Sequence, residues 1–109
     1  MATKSVSVLA LLPFAISSAF AEPAPLNCEG SLIEPAGSTR SSMSATLTLG
    51  SPPSINIGNS AIETSFVGDN KIQFKFAAED FTGEYFHYTH HLFLIYKDRH
   101  LGHMTCSPR

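Results

Sequence analysis

Apolar side chains recur at every second position along much of this chain, and that period leaves little choice of fold. Ile72, Phe74 and Phe76 alternate with Lys71, Gln73 and Lys75, Leu47 and Leu49 alternate with Thr46 and Thr48, and Ile55 and Ile57 flank Asn56. Such alternation gives a strand one buried and one wet face, and no stretch sustains the helical repeat of about 3.6. Turn-forming residues separate the runs at Gly50-Ser51-Pro52-Pro53, Gly58-Asn59-Ser60, Gly68-Asp69-Asn70, Thr82-Gly83 and Lys97-Asp98-Arg99. Seven to eight short strands at this spacing predict an all-β fold, a small antiparallel barrel or sandwich. The Ser-, Thr- and Gly-rich stretch 35–44 is read as a mobile loop.

Residues 1–21 have the pattern of a secretory signal peptide. Lys4 supplies the positive end, residues 6–16 an apolar stretch broken only by Ser7 and Pro13, and Ala19-Phe20-Ala21 an A-x-A cleavage site before Glu22. That apolar stretch is short for a bilayer core of about 30 Å and no second one follows, so no stable membrane insertion is expected. Residues 22–109 are then a single small β domain of 88 residues, in the size range where a hydrophobic core alone is marginal. Cys28 and Cys106 are the chain's two cysteines. In an oxidising compartment they predict a disulfide closing nearly the whole domain. Export implies a periplasmic or secreted location.

From residue 22 onward six basic and nine acidic residues give a net charge of −3, with the bases scattered among the acids. Nucleic-acid binding needs clustered Lys and Arg to displace counterions from phosphates, so no nucleic-acid partner is expected.

Hairpin registers follow from pairing like with like. A three-residue loop at Gly68, Asp69 and Asn70 would set Phe66 opposite Ile72, Ile62 opposite Phe76 and Glu63 opposite Lys75. Turns at Thr89-His90 and at 97–100 would align Phe86, Phe93 and Met104 on a core face, with Tyr88, His91 and Cys106 beside them. The opposite face would then carry Tyr85, Leu94 and His103, flanked by Leu92 and His87 on one side and Tyr96 and Leu101 on the other. A solvated face this apolar is a candidate contact surface. The alternative is that the N-terminal segment or a loop covers it, or that the register differs.

The five histidines, His87, His90, His91, His100 and His103, raise the question of a metal. In the proposed register His87 and His103 share a face but stand roughly 12 Å apart, beyond the reach of one ion. His91 projects to the other face, so no metal site is expected. A loose site using His90 and His100 at loop tips is the alternative. No cofactor is implied. The chain has no G-x-S-x-G, no H-E-x-x-H and no glycine-rich phosphate loop. Glu79, Asp80 and Glu84 would suit paired-carboxylate chemistry only within a desolvating cleft. They are read as a solvated turn, and the protein as no enzyme.

The strand opening Cys28-Glu29-Gly30, the late hairpin with Thr89 at its turn and the closing strand ending in Cys106 resemble the layout of small exported β proteins of proteobacteria. The membrane-bound lysozyme-inhibitor family shares that stapled plan. The resemblance implies a compact eight-stranded barrel and, by analogy, inhibition of a cell-wall enzyme. That family's Ser-Gly-bearing inhibitory loop has no counterpart here, and no inhibitory residue is carried over. Two functions are therefore weighed. One is a non-catalytic binding module contacting a protein partner, in the cell envelope or outside the cell, through the Tyr85, Leu92, Leu94, Tyr96 and His103 face. The other is an inhibitor inserting the loop 38–44 into a partner's cleft. A structural envelope protein is a further alternative.

Overall fold

The computed structural model describes residues 24–37 and 39–108; the expected signal peptide and its cleavage site, Ser38 and Arg109 lie outside the described residues. Among the described residues nine strands form, rather than seven or eight: β1 (Leu26–Ile33), β2 (Arg40–Thr48), β3 (Ser54–Ile57), β4 (Ser60–Ile62), β5 (Thr64–Asp69), β6 (Gln73–Ala78), β7 (Phe81–Phe86), β8 (His91–Tyr96) and β9 (Leu101–Pro108). They make one antiparallel sheet in the order β4-β3-β2-β1-β9-β8-β7-β6-β5. The first and last strands lie side by side, and the two edges, β4 and β5, are joined through Glu63 alone. At this seam the Thr64 hydroxyl donates to the Pro53 carbonyl at 2.8 Å. The sheet is therefore a nearly closed barrel, which removes most of the exposed edge that an open sheet of this length would carry.

Cys28 stands directly opposite Cys106 in the β1–β9 pair, Cα to Cα 3.9 Å, and the two form the expected disulfide. Both are buried beside Ala45, so the staple lies inside the barrel where its terminal strands meet.

The interior is built in rows running across the strands. Leu94 is flanked by Gly83 on β7 and Gly102 on β9. The missing side chains are replaced from neighbouring positions. The ring of Phe76 lies over Gly83, and the Met43 sulfur comes within 3.0 Å of where a Gly102 β-carbon would sit. Tyr85, Leu92 and Met104 form the next row, and Leu47, Ile55, Phe74 and Phe81 complete the buried set.

Three of the expected turns lie where the spacing placed them: 50–53 before β3, Gly58-Asn59 before β4 and 97–99 before β9. Thr82-Gly83 does not turn. It lies within β7, and the β6–β7 turn is Glu79-Asp80, because the Phe76 ring occupies the space above Gly83 and lets glycine sit in mid-strand. The stretch 35–44 is not all loop either. From Arg40 onward it is β2, paired with β1 from Arg40 to Leu47, since serine fits an outward-facing strand as well as a loop. Of the loop 38–44, residues 40–44 lie in β2 and Thr39 lies outside a strand, while Ser38 is outside the described residues.

The β5–β6 turn is also displaced. The Asn70 side-chain oxygen accepts from the backbone N–H groups of Ile72 and Gln73 at 2.7 and 2.9 Å, so Asn70 opens the turn instead of closing it. A bulge at Val67 then sets Phe66 opposite Phe76 and Gly68 opposite Lys75. Ile72 is left 60% exposed at the tip. Ile62 pairs with Ile55 on β3, and Glu63 is the link between β4 and β5.

Candidate functional site

The β8–β9 connection decides which side chains share a face. Arg99 takes a left-handed conformation, φ 77°. Its N–H bonds the Tyr96 carbonyl at 3.0 Å, and the Tyr96 N–H bonds the His100 carbonyl at 3.0 Å. The loop is thus three residues long, a length that accommodates one left-handed position. Its Asp98 carboxylate accepts from the His100 backbone N–H at 3.0 Å and from the His100 ring at 2.9 Å. The backbone N–H, then the ring, hold the Asp98 carboxyl below its ordinary value. Met104 consequently pairs with Leu92, one residue from the expected Phe93, and His103 pairs with Phe93. A one-residue slip reverses every side chain of a strand.

On β7 and β8, Phe86 and Phe93 share a face as expected, 5.9 Å between centroids. The loop between these strands, however, spans 87–90, with His90 left-handed at φ 64° and its N–H bonded to the Phe86 carbonyl. Tyr85 accordingly meets Leu92.

The two faces are therefore recombined. Tyr85, Leu92 and Leu94, expected on the contact face, are buried in the core, and Tyr96 packs against that core with its ring 5.1 Å from Phe81. Met104 and Cys106 are interior as expected, but Phe86, Phe93 and His91 are not their companions. These three lie on the outer face with Leu101 and His103. His87 stands apart from the others in the β7–β8 loop, its Nε2 2.8 Å from an Asp69 carboxylate oxygen. Tyr88 is exposed in the same loop. Of the seven residues expected to form one contact face, the structure brings Leu101 and His103 to it, and it adds Phe86, His91, Phe93 and Ile95, which the slipped register had hidden.

Two outward rows define this face. One runs Glu84, Phe93, His103, Ser31, and the other Thr82, Ile95, Leu101, Ile33, across β7, β8, β9 and β1. The Phe93 ring stacks on the His103 imidazole with centroids 4.5 Å apart and planes within 9°. His91 meets both rings, its centroid 6.2 Å from Phe93 and 5.0 Å from His103, and its Nδ1 lies 3.4 Å from the His103 Nε2. Phe93, Phe86 and the two imidazoles are each half-buried by one another, while Ile95 is 44% exposed. Rigid rings of this kind offer contact area at little cost in rotamer entropy.

A second recess opens at the seam, a cleft of about 870 Å³ with Ile57, Ile62, Ala78, Phe81 and Tyr96 among its lining. Glu63, Glu79 and Asp80 line it as well, whereas Glu84 lies on the outer face opposite Lys75 and Phe93, and no histidine reaches it. Burial, then Asp98 and Asp80, push the Tyr96 phenol above its ordinary value.

The other histidines are engaged locally. The Tyr85 hydroxyl bonds His90 Nδ1 at 2.9 Å, and His100 bonds Asp98. Their different partners leave the expected His90–His100 alternative without support in the geometry. Among the described residues no helix is long and apolar enough to cross a membrane. Comparison of the chain with protein-family models, with curated proteins and with solved structures gives no match.

Proposed function

We propose that this protein is an exported, non-catalytic binding module that contacts a protein partner through the outer face of β7, β8, β9 and β1. The Phe93–His103 stack carries the reading: the outward positions of a small barrel are normally polar, yet here they hold Phe86, Phe93, Ile95 and Leu101 in adjoining rows. A stapled β domain is compatible with an extracellular setting, where a disulfide persists.

The test compares two exposed apolar positions on different parts of the barrel. Ile95 belongs to the proposed face, and Val67, 58% exposed, lies on the β5 bulge. Immobilised protein is incubated with envelope extract, and the bound species are quantified for the wild type, Ile95→Asp and Val67→Asp. Loss of a captured protein with Ile95→Asp and its retention with Val67→Asp supports the reading. Equal capture by all three overturns it.

A further inference from the structure

We propose that His91 and His103 together form a surface site for a tetrahedral transition-metal ion of the kind represented by Zn2+. The β8–β9 register places His103 opposite Phe93 and His91 opposite Thr105, so the two imidazoles are diagonal neighbours on the outer face. Their facing nitrogens, His91 Nδ1 and His103 Nε2, are 3.4 Å apart. Two nitrogens each about 2.0–2.1 Å from one Zn2+ and subtending a tetrahedral angle are separated by about 3.4 Å, whereas a right-angled pair would stand about 2.9 Å apart. The observed spacing matches the bite of a tetrahedral ion.

Two further features favour metal over a simple imidazole–imidazole hydrogen bond. At 3.4 Å the N···N contact is at the long end for a hydrogen bond, so little is lost when an ion replaces it. The rings are also already held in place, His103 by the stacked Phe93 and His91 by the edge of the same phenyl ring. A ligand pair fixed by packing does not have to be ordered on binding. Among the described residues no group of three or more His, Cys, Asp or Glu side chains gathers at one point. The ion would thus keep two coordination positions for water or for a donor brought by another molecule.

The inference rests on the geometry of the two rings and not on the proposed partner: zinc binding without partner capture leaves it standing, and capture without zinc binding does not rescue it. Untagged, oxidised protein is titrated with zinc chloride by calorimetry while the histidine ring signals are followed by NMR. The expected result is one Zn2+ per chain, with His91 and His103 as the perturbed rings. Affinity should fall at least tenfold in His91→Ala and in His103→Ala, and stay unchanged in His100→Ala. The wild-type ring signals give the answer even if a variant fails to fold. Absence of saturable binding, perturbation centred on other histidines, or binding that survives both alanine substitutions overturns the proposal.

Discussion

The ring of Phe76 lies across the backbone of Gly83, filling the space that a side chain at residue 83 would need. A β-carbon there would collide with three atoms of the ring, and the ring is wholly buried. Gly83→Ala is expected to cost about 1–3 kcal/mol, the range for overpacking a tight core. Gly68 provides the contrast: nothing lies within 4 Å of its added β-carbon and its φ is not left-handed. Gly68→Ala should be neutral or stabilise by up to about 1 kcal/mol through the unfolded chain. Urea unfolding of the two variants beside the wild type measures both values.

Leu94 and Ile95 are chain neighbours on opposite sides of β8, Leu94 fully buried and Ile95 44% exposed. An aspartate at 94 would place a carboxylate in the barrel interior with no partner, and Leu94→Asp is expected to abolish the cooperative unfolding transition. Ile95→Asp should change stability by no more than about 0.5 kcal/mol. Circular dichroism on heating distinguishes them. The reverse ranking would mean that β8 faces the other way.

The fold class was legible because Leu47, Ile55, Phe74 and Phe76 alternate with polar residues, and all four are buried. The cystine was legible for a similar reason: with two cysteines only one intramolecular pairing exists. The candidate face was not legible, because hairpin register depends on which residue of a loop turns left-handed. His90 and Arg99 take that conformation here, where glycine or asparagine would have marked it. Displacement by one residue at Arg99 was enough to exchange Leu92 for Phe93 opposite Met104, and so to separate His91 from His103 in the sequence reading. Gly83 misled in the opposite sense. It reads as a turn, but its role is to make room for Phe76.

Tyr85 should make the protein sensitive to alkali. Its side chain is buried, and that burial raises the phenol above its ordinary value. A phenol whose folded pKa exceeds the unfolded one contributes stability that is fully present below the unfolded value, near pH 10, and is lost as pH rises through the folded value. Tyr96 is raised too and adds to the same limb. Tyr85→Phe is expected to make the fall in stability above about pH 10 shallower. At neutral pH it should cost about 1 kcal/mol, through the lost hydrogen bond to His90. Denaturant midpoints collected from neutral to strongly alkaline pH test this, and an unchanged alkaline slope would count against a buried, neutral Tyr85.

The cystine joins two strands that are already neighbours, so its main effect is on the unfolded chain. Closing a ring across a sequence separation of 78 restricts the unfolded ensemble by about 4.5 kcal/mol on a loop-entropy estimate, comparable to the whole net stability of a small domain. Cys28 and Cys106 are buried against Ala45 in the seam between β1 and β9, so the folded structure keeps reductants from the bond until the barrel opens. The Cys28→Ala/Cys106→Ala variant should therefore unfold at a much lower denaturant concentration. Wild-type protein should resist reduction while folded and match the variant once reduced under denaturing conditions. Thiol alkylation followed by mass spectrometry, before and after addition of denaturant, reads both states. Labelling of either cysteine in native, unreduced protein would show that the ring is not closed.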